Sequence, residues 1–220
     1  MPEIDAADRE EFLRHFPVSH ETLEKFERYA ALLKEWNAKF NLVADSTLPQ
    51  IWRRHFLDSA QLIKYAPKDA RTFADLGSGA GFPGIVLSLL GAPKMYLIES
   101  TGKKAEFLRT VVSALDINAE VMQVRIEDLK NFGVDVVTAR ALKPLPELLA
   151  LAKPLMRKTS MALFLKGQHL DVELTESTKY WRFENETFPS LSDPSGRILA
   201  VRGLERQPKA KTDGAARHKR

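Results

Sequence analysis

One stretch constrains this chain more than any other: Phe73-Ala74-Asp75-Leu76-Gly77-Ser78-Gly79-Ala80-Gly81-Phe82-Pro83-Gly84. The apolar residues of a strand stop at Leu76, glycines then recur, and Pro83 stands where a helix would begin. Glycine turns the backbone through positive φ and lets a ligand approach the main chain, while proline suits a first helical turn. The segment therefore reads as strand, tight turn and helix. The same texture continues downstream, with strands predicted at 72–76, 94–99, 119–125, 134–139 and 161–165. Helices are predicted at 83–90, 103–115 and 146–156, with a short turn at 127–130. Such a βα succession implies an α/β fold with a mostly parallel, doubly wound sheet. Two later strand-like runs, 180–188 and 196–201, are placed as an antiparallel hairpin closing that sheet.

The residues before the first strand read as helices, an N-terminal helical extension over 1–68 ahead of a main domain over 69–204. Ser19 is expected to cap a helix whose apolar face carries Leu23, Phe26, Ala30, Leu33, Asn37 and Phe40. A second helix is predicted from about Thr47, with Ile51, His55, Phe56, Ser59 and Leu62 on one face and Pro67 as its stop. Trp36 and Phe40, at i and i+4, are expected in the core. Asn37 and Asn41 are expected to cap this helix or bridge into the loop that follows.

Charge separates the far end from the rest. The chain carries +4 overall, but residues 202–220 alone carry +5, leaving −1 on the other 201 residues. Residues 205–220 lack apolar periodicity and read as a basic, disordered tail suited to a polyanion. The sequence has no cysteine, which excludes disulfides, Cys-ligated zinc, iron–sulfur clusters and a thiol nucleophile. No apolar run approaches the ~18 residues of a membrane span, and no secretory h-region is present. A cytoplasmic protein, a monomer without metal, is the expectation.

Two ligand classes compete for the glycine turn. Residues 79–84 fit the dinucleotide pattern GxGxxG, and residues 75–81 fit the Asp-x-Gly-x-Gly-x-Gly loop that binds S-adenosylmethionine. Asp75 discriminates, because a carboxylate is a poor neighbour for a pyrophosphate and a good one for a cationic sulfonium and ammonium. The second strand ends at Glu99, 22 residues after Gly77, where a carboxylate can take both ribose hydroxyls of either ligand. The residues thus favour a methyltransferase, with an NAD-dependent oxidoreductase and a non-catalytic RNA-binding assembly module left open.

Asp75–Gly84 followed by Glu99-Ser100-Thr101-Gly102-Lys103-Lys104-Ala105-Glu106-Phe107-Leu108 resembles the 16S rRNA 7-methylguanosine methyltransferases, the glucose-inhibited division protein B family. Trp36–Leu42, Arg54–Ser59, Arg125-Ile126-Glu127, Ala139-Arg140-Ala141 and Leu165-Lys166-Gly167 extend the resemblance over roughly residues 36–167. It implies a Rossmann-like class I S-adenosylmethionine-dependent methyltransferase acting on N7 of guanine 527 in 16S rRNA, free or in a small-subunit precursor. It implies cofactor contacts at Gly77, Phe82, Ile126, Glu127 and Arg140, with Glu99 on the ribose by the motif logic above. Ile126 departs from the smaller residue expected there, without consequence if only its main chain touches the adenine.

Guanine N7 has an in-plane lone pair and no proton to lose, so the missing acid–base pair is expected and no catalytic residue is assigned. Pyrimidine C5 chemistry would want a cysteine, and exocyclic-amine methylation an Asn/Asp-Pro-Pro-aromatic motif where Thr138-Ala139-Arg140-Ala141 stands. Arg140, Lys166 and Lys103 are the candidate RNA contacts. His55, three residues from Asp58, is expected to be a buried, hydrogen-bonded histidine.

Overall fold

The computed structural model describes residues 6–130 and 132–208. The chain begins with α1 (Ala6–His15) and α2 (His20–Phe40), then an irregular helical stretch over 45–64 that includes the single turn α3 (Asp58–Ala60). The sheet domain follows as β1 (Phe73–Leu76), α4 (Gly84–Leu89), β2 (Met95–Ile98), α5 (Gly102–Leu115), β3 (Ala119–Met122) and β4 (Val134–Arg140). It ends with α6 (Leu145–Ala152), β5 (Met156–Lys166), α7 (Leu170–Ser177), β6 (Trp181–Pro189) and β7 (Arg197–Arg206).

The seven strands lie in the order β3-β2-β1-β4-β5-β7-β6. The first five are parallel, and β7 runs antiparallel between β5 and β6. All of β1 is buried, as expected for a central strand covered on both faces. The winding reverses between β1 and β4, where Leu76 pairs with Ala139. Gly77 and Arg140 are therefore the first residues past that pair, at the crevice where open α/β sheets hold ligands.

The helices segregate by face. Helices α4 and α5 and the N-terminal helices share one apolar core, and α6 and α7 cover the other face. The N-terminal helices are not a separate unit. An aromatic chain links them to the glycine turn: Phe12 to Phe26 and Phe26 to Phe56, each at 5.0 Å between ring centroids, and Tyr29 to Phe82 at 5.3 Å.

Ser19 caps α2 by accepting the Thr22 N–H at 3.2 Å. Asn41 ends α2 at φ 46°, and Asn37 bridges onward by donating to Asp45 and accepting the Val43 N–H at 2.8 Å. Phe40 departs from the expected core: it is 36% exposed, because α2 ends there, and the Lys103 ammonium lies 4.8 Å from its ring centre. Other boundaries shift as well. The expected continuous second helix is a succession of 3-10, π and α turns. Strand β5 starts five residues before the expected 161. Strand β7 runs to Arg206, with Leu204 buried, so the tail cannot begin at 205. Residues 209–220 of that basic tail lie outside the described residues. No described helix is long and apolar enough to cross a membrane.

Candidate active site

The glycine turn is held from below. Gly77 has φ +63°, which calls for glycine, and a Cβ there would also push aside the tip of Leu142, whose Cδ1 it would meet at 2.6 Å. Asp75 is fully buried beneath the turn, where its Oδ2 accepts the Gly84 N–H and its Oδ1 the Thr138 hydroxyl, both at 3.1 Å. Burial raises its pKa to about 7 against the opposing pull of these hydrogen bonds and of Arg140. A Cβ on Gly84 would come within 2.9 Å of Asp75 Oδ2, which explains that glycine. Asp75 thus shapes the turn instead of facing the ligand, as its charge had suggested. From the far side, the buried Tyr29 hydroxyl donates to the Ala80 carbonyl. Tyr29 is not among the residues singled out from the sequence, because nothing in its neighbourhood on α2 announces a contact 51 residues away.

Above the turn opens a cavity of about 410 Å³, within the range of small-molecule sites. Gly77, Glu99, Ile126, Glu127 and Arg140 all line it. Glu99 is nearly buried; its Oε2 accepts the Gly79 N–H at 3.0 Å and its Oε1 the Thr101 N–H at 2.7 Å. Each oxygen keeps a second lone pair, so the carboxylate is fixed in place and still able to accept two hydroxyls. Ile98, Leu142 and Leu151 give the cavity apolar walls.

Arg140, last residue of β4, borders this cavity and two others. The 52–57 stretch explains how it is held. The Asp58 N–H donates to the Arg53 and His55 carbonyls, skipping the Arg54 carbonyl that an α-helix would use. That π-type turn leaves the Arg54 carbonyl free to accept Arg140 Nη1 at 3.1 Å. Nη1 also lies 3.4 Å from Asp58 Oδ2, Nη2 lies 3.0 Å from His55 Nδ1, and the guanidinium sits 4.8 Å from the centre of the Phe82 ring.

Arginine only donates, so His55 Nδ1 must accept and Nε2 must carry the proton. Nε2–H then donates to Thr47 Oγ1 at 2.8 Å, and the Thr47 hydroxyl to the Ala44 carbonyl at 2.7 Å. Burial, with Arg140 and Arg54 adding to it, lowers the His55 pKa to about 3. His55 is a neutral, fully committed hydrogen-bond relay.

The remaining expected residues lie elsewhere. Phe82 is buried outside the cavity wall, stacked on His55 at 4.8 Å and 17°. Lys166 is ion-paired at 2.6 Å with Glu173, which also accepts the Leu145 N–H. Lys103 covers Phe40, while its neighbour Lys104 lines the cavity. The loop between β6 and β7, unremarked in the sequence, brings Asp193 to the wall beside Arg54 and Asp58.

A family model described as rRNA small subunit methyltransferase G, GidB, matches residues 22–200. A ribosomal RNA small subunit methyltransferase G of Rhodospirillum rubrum is 46% identical over 197 residues, covering 90% of this chain and 98% of that protein. The protein of the same name in Bradyrhizobium sp. strain ORS 278 is 48% identical over 209 residues, covering 92% and 94%. Among solved structures, a TehB-like SAM-dependent methyltransferase of Corynebacterium glutamicum matches with TM-score 0.52 at 13% identity over 80% of this chain and 98% of that one. A ribosomal protein L11 methylase of Lactobacillus delbrueckii matches with TM-score 0.53 at 17% identity over 68% and 77%. These two likenesses show the fold alone, the Rossmann-like fold of class I methyltransferases. Of the three readings the residues left open, the sequence matches select the methyltransferase, and the chain belongs to the rRNA small subunit methyltransferase G family.

Proposed function

We propose that this chain, in the cytoplasm, transfers the methyl group of S-adenosylmethionine to N7 of guanine 527 in 16S rRNA. The observation that carries the reading is the convergence of Gly77, Glu99, Ile126, Glu127 and Arg140 on one cavity at the sheet's switch point. The donor set suits the cofactor: a fixed carboxylate for ribose hydroxyls, apolar walls for a purine face, and a glycine turn open to close approach. When bound, the cofactor supplies a methyl group made electrophilic by its sulfonium.

The chain's own contribution is placement. N7 needs no general base, so orientation and exclusion of water carry the rate. His55 fits this economy, because both its nitrogens are committed and it stays neutral near pH 7. Arg140 joins the donor cavity to the rest of the crevice under four fixed contacts. Mapping 7-methylguanine in small-subunit rRNA with and without the protein tests the reading. A modified guanine 527 that depends on the chain is expected; methylation of another atom, or none, would overturn it.

A further inference from the structure

A second cleft, of about 390 Å³, meets the donor cavity at the two residues they share, Arg140 and Ala141. A methyl acceptor must adjoin the donor, and this cleft is large enough for a base drawn out of its stack. Most of its polar groups are already spent. Both nitrogens of His55 and the hydroxyl of Thr47 are used in the relay. Asp58 accepts Ser192 Oγ at 2.6 Å and Gln61 on Oδ1, and Arg140 on Oδ2.

Asp193 is different. Its Oδ1 accepts the Ser195 N–H at 2.9 Å and hydroxyl at 2.8 Å, while Oδ2 lies 3.8 Å from Arg54 Nη1, beyond hydrogen-bond reach, and the Gly196 N–H adds a weaker pull on the carboxylate. The loop that carries it is pinned. The Leu191 N–H donates to Gln61 at 2.8 Å, Ser192 Oγ donates to Asp58, and Arg53 Nε donates to the Ser192 carbonyl at 3.2 Å. A partly exposed carboxylate is thus held at the wall of this cleft, with its Oδ2 able to accept further donors.

We infer that this cleft receives the target base and that Asp193 Oδ2 selects guanine by accepting its N1–H and N2–H donors, with Arg54 alongside as a stacking plane. The inference rests on the methyltransferase reading above. Among the four RNA bases, guanine alone sets two ring-edge donors side by side. Adenine would turn the N1 lone pair toward the carboxylate, and an unpaired contact of that kind costs a recognition site heavily. The edge that carries N1 and N2 lies across the base from N7, so a base held there keeps N7 unencumbered. The Ser195 hydrogen bonds, ahead of any other influence, hold the Asp193 pKa below the usual carboxylate range, which keeps the acceptor charged at neutral pH.

The test compares small-subunit rRNA carrying guanine or inosine at the target position, using the full chain. Inosine keeps N7 and N1–H and lacks only the amine. The wild-type protein should lose about 10- to 100-fold in kcat/KM on inosine, the usual loss for one charge-assisted hydrogen bond. Asp193→Asn keeps an acceptor for Ser195 and puts a donor where Oδ2 stood. It should slow transfer to guanine by a similar factor and bring the guanine-to-inosine ratio close to one, with S-adenosylhomocysteine affinity unchanged. Equal use of both bases by the wild type, or full guanine preference in Asp193→Asn, would overturn the inference. A wild-type product on guanine RNA other than 7-methylguanine would overturn the underlying reading, and the inference with it.

Discussion

Substituting Asp75 by asparagine should expose two opposed titrations. Burial raises the Asp75 pKa from 3.8 to about 7, so the folded protein holds a proton there that the unfolded chain releases above pH 3.8. By linkage, stability contributed by this group is present at low pH and lost as pH rises from about 4 to 7. His55 works the other way. Its pKa falls from 6.5 to about 3, so the unfolded chain takes up a proton that the folded protein refuses, and stability rises with pH over about 3 to 6.5. Each full titration changes stability by at most ~1.4 kcal/mol per pH unit. In the wild type the two slopes nearly cancel between pH 4 and 6.5. Asp75→Asn removes one of them and keeps the geometry: the amide oxygen can accept the Gly84 N–H, and the amide nitrogen can donate to Thr138 Oγ1. The Thr138 hydroxyl can then donate to the Ala74 carbonyl, 3.5 Å away. Relative to wild type, the variant should gain stability as pH rises from 4 to 7, by up to ~4 kcal/mol in all. Urea denaturation at half-unit pH steps measures this, and groups common to both proteins drop out of the difference. Parallel curves would mean that Asp75 is ionised throughout, its hydrogen bonds having outweighed burial.

Four further outcomes follow. Glu99→Ala should weaken S-adenosylhomocysteine binding ~100-fold or more in calorimetry, from two charge-assisted hydrogen bonds at ~1.5–3 kcal/mol each; unchanged affinity removes Glu99 from the site. Thr47→Val strands the His55 Nε2–H at a cost of ~1–3 kcal/mol, and a chain of this size loses ~2–4 °C in Tm per kcal/mol. Thr47→Ser should restore it, and an unmoved Tm in the valine variant would break the relay. Single-turnover methyl transfer by Asp75→Asn should show no inflection between about pH 6 and 8.5, since His55 stays neutral; one abolished by His55→Gln would make His55 an acid–base group. Removing residues 209–220, with five Lys/Arg, should make the log–log salt slope of rRNA binding shallower by about two if about three contact phosphate, whereas parallel slopes would leave the tail without an RNA role.

What the sequence disclosed and what it hid divide along a physical line. The glycine turn was legible because positive φ is a local demand that few residues other than glycine meet, and Glu99 because a strand end fixes its distance from that turn. Arg140 was legible as a position and not as a contact. Its partners Arg54, His55 and Asp58 come from more than 80 residues away, and the freed Arg54 carbonyl depends on one skipped helical hydrogen bond that no residue in Trp52–Leu57 announces. The motif placed Phe82 on the loop but could not say which way its ring turns, and here the ring packs under the turn on His55. The start of β5 was hidden because Arg157, Lys158 and Thr159 are exposed and lack apolar alternation. Asp193 was the least visible residue, since Ser-Asp-Pro-Ser-Gly spells an ordinary turn. Only the antiparallel insertion of β7 beside β5 carries that turn to the mouth of the crevice, where an acidic loop residue becomes a candidate reader of guanine.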